Sequence, residues 1–308
     1  MVWLPLLVPF LAGPAARRLA SHLPPRRAAW LLAGSAVGLA AGSITSLALL
    51  VVPGATHLRV VAALGELLTP LSTGSADAMI AVAVVAATVL AWRTAVLVRA
   101  VHARLAQLRR SRRLAARADG ELVVLRDDCP DAYALPGRPG RIVVTTGMLR
   151  TLAPDERAAL LAHERAHLRE HHHVFVAAVE LAALCHPALH ALREPLAYAL
   201  ERCADESAAD AVGDRRLTAR AIGKAALASR TTSRPGLALA ATTGPVPRRV
   251  AALLQQQSDA APPRPRIRHL VTAAYLACLA LSAGATVHAA HDLHAGIEAA
   301  QGEGLAER

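Results

Sequence analysis

Long apolar runs without charged residues restrict the folds open to this chain more than any other feature. The range 28–52 contains 25 residues and no charge, and as a helix rising ~1.5 Å per residue it would cross a hydrocarbon core of ~30 Å. The range 78–98 is interrupted only by Arg93, whose side chain can extend to the bilayer surface. The range 270–287 is also uncharged, and 2–16 is a shorter, proline-containing apolar run. We therefore expect a multi-pass membrane protein with four spans.

The distribution of arginine predicts the orientation of these spans. The formal net charge of +11 comes almost wholly from arginine, which is concentrated in 17–27 and 99–117, where acidic residues are absent. Basic segments next to spans stay on the cytoplasmic side of the membrane. The sequence thus predicts a cell-membrane protein with both termini outside. Its parts are spans at about 2–16, 28–52 and 78–98, a cytoplasmic domain at 101–265, a fourth span at 266–290 and a short external tail at 291–308.

Two classes of protein are excluded by composition. The four cysteines form no CxxC pair, so we expect reduced thiols and not the disulfide framework of a small secreted protein. The arginines of 99–117 have no aromatic residue among them. Because single-stranded nucleic-acid sites combine basic and aromatic residues, we expect the arginines to meet the anionic lipid of the bilayer and predict no direct nucleic-acid partner.

The cytoplasmic segment predicts a small α+β domain within a mainly α protein. The β-branched runs 121–125 and 141–145 predict strands, and 131–135 is expected to pair with 141–145 across the turn at 137–140. Pro154 suits the first turn of a helix that continues past His167.

That helix carries the sequence His163-Glu164-Arg165-Ala166-His167, an HExxH motif. Histidines four residues apart lie on one helix face, where both can bind one Zn²⁺ ion. A glutamate beside them is placed to take a proton from a water molecule on the metal. The motif predicts one Zn²⁺ per chain, His163 and His167 as ligands, and Glu164 as the catalytic base.

Several residues are candidates for the third ligand. His173 has the spacing of the metzincin pattern, but Glu170 replaces the glycine that this pattern needs, and an unbroken helix would point His173 elsewhere. We expect the histidines of 171–173 to form a polar helix end. Glu201 begins a second predicted helix and shares a face with Asp205, which suits a carboxylate ligand and an acceptor for an imidazole N–H.

At this point the residues resemble known families. HExxH followed by Glu201-Arg202-Cys203-Ala204-Asp205 looks like the gluzincin metallopeptidases. The runs 131–134 and 143–149, together with the HExxH motif, are similar to peptidase family M48, the HtpX relatives. The layout of spans resembles the M56 family of BlaR1-type signalling peptidases, and 246–253 resembles an arginine-containing segment of both families. The resemblance implies a zincin-like domain with His163, His167 and Glu201 on zinc, Glu164 as the base and Asp205 behind the ligands.

The implied function is a zinc metalloendopeptidase (EC 3.4.24) that hydrolyses a protein or peptide on the cytoplasmic side. The strand 141–145 is expected to offer an edge to the substrate, and Arg248 and Arg249 are candidate transition-state stabilisers. One role is a BlaR1-like signalling protease without a sensor domain that cuts a cytoplasmic repressor, and another is HtpX-like quality control of membrane proteins. A third is a non-enzymatic protein with a structural zinc site, for which Cys203 or Cys185-His186 would have to supply the fourth ligand.

Overall fold

The computed structural model describes residues 2–57, 75–117, 120–232, 245–255 and 265–306. The chain is mainly helical with one small mixed sheet. The helices are α1 (Leu4–Leu7), α2 (Pro9–His22), α3 (Pro25–Ala55), α4 (Ala76–Arg117), α5 (Thr146–Thr151), α6 (Pro154–Arg169), α7 (His172–Cys185), α8 (Arg193–Val212), α9 (Arg215–Thr232), α10 (Pro245–Gln255) and α11 (Pro265–Ala306), with a 3₁₀ helix at Pro187–Leu192. The strands are β1 (Leu122–Leu125), β2 (Ala132–Leu135) and β3 (Arg141–Thr145).

Two of the predicted spans lie in long apolar helices. Within the described residues, α3 and α4 are long and apolar enough to cross a bilayer, with mean hydropathies of 2.0 and 2.1 over their most apolar windows. This weakly suggests membrane association. The other two predicted spans lie in α1–α2 and in α11, and the four-span topology stays a prediction.

Helix α3 packs directly against α7 and α8, the helices that follow the HExxH motif. Small residues on one face of α3 share a core with Val179 of α7 and Leu196 of α8, and the rings of Trp30 and Phe175 meet edge to face at 4.8 Å. Because alanine and serine are frequent on this face, the helices can approach closely. The predicted boundary at residue 100 also lies inside α4, which continues through it without a break.

The charges that interrupt the apolar runs have partners in neighbouring helices. Arg93 Nη1 donates a hydrogen bond to the Leu184 carbonyl at 2.8 Å, in the last turn of α7. Arg104 of α4 pairs with Glu180 of α7. Helix C-terminal carbonyls lack partners within their own helix, so Arg93 completes α7 as a C-terminal cap.

The sheet has the strand order β1-β3-β2. All three predicted strands are confirmed, including the antiparallel pairing of Leu135 with Arg141. Strand β3 also pairs with β1 in parallel, with Leu122 opposite Ile142, so β3 is central and has no free edge. The expectation that 141–145 offers an edge to substrate is therefore wrong, and β1 and β2 are the two edge strands.

Strand β2 and helix α8 frame helix α6 at the centre of the site. The backbone N–H of Ala153 donates to Glu156 Oε2 at 3.0 Å, and Lys224 Nζ lies 2.6 Å from Glu156 Oε1. These contacts tie the first turn of α6 to α9. Helix α6 runs past His167 as predicted, but it ends at Arg169 and His171 adopts a left-handed conformation with φ of 54°. The expected unbroken helix is thus wrong.

The sequence also placed one site residue wrongly within its helix. Glu201 was expected to begin a helix, whereas it lies near the middle of α8. Residues 58–74, between the predicted second and third spans, lie outside the described part of the chain. The same holds for 233–244 and 256–264 of the predicted cytoplasmic domain.

Candidate metal centre

Three side chains from α6 and α8 converge at one point. The Nε2 atoms of His163 and His167 lie 3.1 Å apart. Each is 3.6 Å from an oxygen of Glu201, Oε2 for His163 and Oε1 for His167. One donor atom from each residue lies within 4.8 Å of the other two. The structure thus brings the three predicted ligands together. The two histidines lie one helical turn apart on α6, and Glu201 faces them from α8.

The chemistry of this donor set fits Zn²⁺. The Nδ1 atom of His163 lies 3.1 Å from Asp205 Oδ1, and Nδ1 of His167 lies 2.7 Å from Nδ1 of His172. Since the outer nitrogen of each ring faces a polar atom of another side chain, the two Nε2 atoms remain for an ion. Two imidazoles and one carboxylate are a zinc ligand set that leaves a fourth coordination position for water or substrate.

Arg249 of α10 contacts the carboxylates of both Glu201 and Asp205. Its Nε and Nη2 donate to the two oxygens of Asp205 at 2.8 and 2.6 Å, and Nη1 lies 2.7 Å from Glu201 Oε2. Arg248 instead stacks over the ring of Tyr198, 4.8 Å from its centroid. Arg249 thus contacts both carboxylates, and the role of Arg248 and Arg249 as transition-state stabilisers stays a prediction.

Glu164 lies beside the ligands in a cleft of about 250 Å³ lined also by Ala134, His172 and Val176. The residue is 8% exposed. Burial raises the pKa of its carboxyl to about 7, against the opposing effects of charge on His163 and a hydrogen bond from the Ala134 backbone. A carboxyl with a pKa near neutrality can both accept and return a proton, as a general base requires.

Neighbouring groups set opposite pKa shifts on the two ligand histidines. Burial disfavours charge on His163, but the neighbouring carboxylates of Asp205 and Glu201 outweigh it and raise its pKa to about 9. Burial lowers the pKa of His167 to about 4, assisted by charge on His163. For Glu201, burial is outweighed by His163 and Arg249, so its pKa falls to about 2. Because a metal needs the neutral ring, loading the site releases a proton from His163.

Among the described residues, the alternative ligands proposed from the sequence do not belong to the donor group of His163, His167 and Glu201, although His173 lines the same cleft. The His171 ring is exposed, and its ring centroid lies 6.0 Å from that of His173. Cys203 belongs to a separate group of possible donors with Glu170 and His172. Nε2 of His186, next to Cys185, lies 3.0 Å from the Leu6 carbonyl oxygen.

His172 is the site residue that sequence reasoning missed. The expected polar helix end would leave it in water, yet it is 4% exposed and contacts His167. The left-handed residue before it turns α7 back toward α6. Position 170–172 contains no glycine or proline to signal this break.

Comparison with known proteins finds a family match for part of the chain. Residues 93–193 match the family model of peptidase family M48. The matched segment contains the HExxH motif and ends at the start of α8, before Glu201. No curated protein and no solved structure matches the chain. Since M48 members are zinc metallopeptidases, the match supports a metallopeptidase activity that acts on protein or peptide substrates.

Proposed function

We propose that this chain, with its M48-like segment, is a zinc-dependent endopeptidase that cuts protein substrates at the cytoplasmic face of a membrane. The observation that carries the proposal is the convergence of His163, His167 and Glu201 beside the buried carboxyl of Glu164. A structural zinc site would need a fourth protein ligand. Among the described residues, Cys203 groups with Glu170 and His172 instead.

Different residues have different roles in the proposed hydrolysis. His163, His167 and Glu201 would hold Zn²⁺, which when bound polarises a carbonyl and lowers the pKa of water toward ~7. Glu164 accepts the proton of the attacking water on a carboxylate oxygen and returns it to the leaving amine nitrogen. Its low exposure keeps bulk water away during the transfer.

Three further side chains fix the geometry. Asp205 orients His163, Arg249 binds Asp205 and Glu201 together, and His172 supports His167. Such partners determine the ring orientation and the free nitrogen of each ligand.

The free edge of β2 is the expected site for the substrate backbone. Ala134 of this strand and Pro136 after it line the same cleft as Glu164. An extended peptide can add to a free strand edge through main-chain hydrogen bonds, which are independent of side-chain identity.

Membrane attachment would define which substrates reach the site. The apolar helices α3 and α4 are the proposed anchors, and the lipid bilayer is then a permanent partner. A signalling protease would make one cut in a cytoplasmic repressor, whereas a quality-control protease would degrade many unfolded membrane proteins.

The test is the metal content of the full chain purified in detergent, with hydrolysis of an unfolded protein measured in parallel. We expect about one zinc per parent chain and much less in Glu201→Ala. Glu164→Gln should keep the zinc and lose hydrolysis. Equal zinc in parent and Glu201→Ala would contradict the site, and hydrolysis by Glu164→Gln would contradict the mechanism.

A further inference from the structure

A groove rich in arginine adjoins the catalytic cleft. The groove has a volume of about 600 Å³ and shares Pro136, Leu168 and His173 with the lining of the cleft. The groove is therefore within reach of a polypeptide that extends past these three residues. We call this space the arginine groove; its arginines are Arg112, Arg138, Arg165 and Arg169.

The charge of the arginine groove is poorly compensated. Glu121 is the acidic residue of its lining, and it is occupied by Arg165, with Nε to Oε1 at 2.6 Å and Nη2 to Oε2 at 3.1 Å. No carboxylate in the described part of the chain forms an ion pair with Arg112 or Arg138. The pKa of His173 is lowered by burial, then by His171 and Arg112. The groove is thus lined by arginines whose positive charge is only partly balanced, which produces a positive potential.

The turn that carries Arg138 is held against α4, which carries Arg112. A Cβ on Gly137 would lie 2.8 Å from the Ala115 Cβ and from the Pro139 carbonyl oxygen, so only glycine permits this close approach. Arg141 Nε also donates to the Ala115 carbonyl at 3.0 Å. Because Ala115 lies one helical turn after Arg112, these contacts hold the turn that carries Arg138 next to the part of α4 that carries Arg112.

We infer that the arginine groove binds acidic side chains of the substrate on one side of the scissile bond. The enzyme would then prefer polypeptides that carry clustered aspartate or glutamate next to the cut. The inference rests on the proposed function for the position of the cut, and it names the class of substrate. It assigns Arg112 a task beyond contact with lipid, because the groove shares lining residues with the cleft that contains Glu164.

The test measures binding without turnover. The full-length Glu164→Gln chain, loaded with zinc in a neutral detergent, is titrated against fluorescein-labelled peptides of alternating Asp-Gly, Ser-Gly or Lys-Gly. We expect the Asp-Gly peptide to bind tightest and to weaken as salt screens the charges. Adding Arg112→Ser and Arg138→Ser should weaken binding of the Asp-Gly peptide ~3- to 20-fold, because two exposed ion pairs with the peptide are lost.

The matched control is Arg193→Ser with Arg220→Ser, two exposed arginines outside the groove. This pair should leave Asp-Gly binding unchanged, and zinc content should be the same in all variants. Equal losses in both double variants, or no preference for the Asp-Gly peptide, would overturn the inference.

Phosphatidylserine vesicles separate a peptide site from a lipid site. If the Arg112 and Arg138 substitutions weaken vesicle binding but leave Asp-Gly affinity intact, the groove faces lipid and the inference is wrong. The proposed function can fail independently of this inference. If the zinc-loaded parent chain prefers the Asp-Gly peptide but hydrolyses no substrate, only the proposed function is wrong. Hydrolysis without the preference would overturn only the groove's role.

Discussion

The Nδ1 atom of His172 lies 2.7 Å from Nδ1 of His167, so a buried histidine supports the second proposed ligand as Asp205 supports the first. With Nε2 of His167 on a metal, its Nδ1–H donates to the free Nδ1 of His172. The remaining proton of His172 then sits on Nε2, 3.7 Å from Glu170 Oε2. Ser207 Oγ donates to the other oxygen of Glu170 at 2.9 Å. The support therefore extends across to α8.

His172→Ala should lower zinc affinity by about 10- to 100-fold, the usual effect of losing a partner behind a ligand. The measurement is competition with a chromophoric chelator, and added imidazole should restore part of the affinity by filling the space. His171→Asn is the control, because residue 171 is exposed and asparagine tolerates a positive φ. Equal losses in the two variants would contradict a specific role for His172.

Arg249→Met should destabilise the fold by about 3–5 kcal/mol, because it leaves Asp205 and Glu201 without their buried cation. The free energy of unfolding in detergent measures this loss, and zinc affinity should fall with it. Arg248→Met is the neighbouring control and should cost at most about 1 kcal/mol, the value of an exposed cation–π contact. A comparable loss at both positions would contradict the distinct contacts of the two arginines.

The pH dependence of kcat/KM should show an acid limb that belongs to Glu164. The base must be deprotonated to act, so activity rises as pH rises through its pKa. Without metal that pKa is about 7, and a bound cation favours the carboxylate and lowers it. We therefore expect the limb at or below pH 7. An acid limb well above pH 7 would contradict Glu164 as the base.

Glu156→Gln should destabilise the protein at neutral pH by about 1–2 kcal/mol, because its carboxylate accepts from the Ala153 backbone and pairs with Lys224. The Lys224 hydrogen bond, followed by that of Ala153, lowers the pKa of Glu156 below 4.5. A lowered pKa means that the contribution is present above pH 4.5 and is lost as pH falls. The difference between parent and variant should thus vanish in acid, whereas the exposed Glu194→Gln should show little difference at any pH.

Much of the site could be predicted because its signals are local. HExxH fixes two histidines and a glutamate on one helix face by periodicity alone, and β-branched runs between turn residues identify the strands. Pairing of β2 with β3 follows from the short turn between them. The third ligand, Glu201, was harder to predict, because it lies on a second helix. The sequence pattern placed the start of that helix at Glu201, whereas the helix begins at Arg193.

Tertiary contacts determined what local signals could not. Strand order depends on which neighbours β3 meets, and β1 reaches it only through the fold, so the free edge could not be assigned from 141–145 alone. The position of His172 depends on the break after Arg169, where neither glycine nor proline occurs. Arg249 lies far along the chain from Asp205, and its pairing required the packing of α10 onto α8.

The unbroken course of α4 sets a minimum length for one segment of any substrate anchored in the same membrane. This segment connects the substrate's own anchor to the part that enters the arginine groove. If the predicted span ends at Val98, Arg112 lies 14 residues further along the same helix, or ~21 Å from the bilayer when the helix stands upright. An extended chain covers ~3.4 Å per residue. A membrane-bound substrate then needs about six extended residues between its anchor and the segment in the arginine groove, so bonds closer to the lipid would be out of reach.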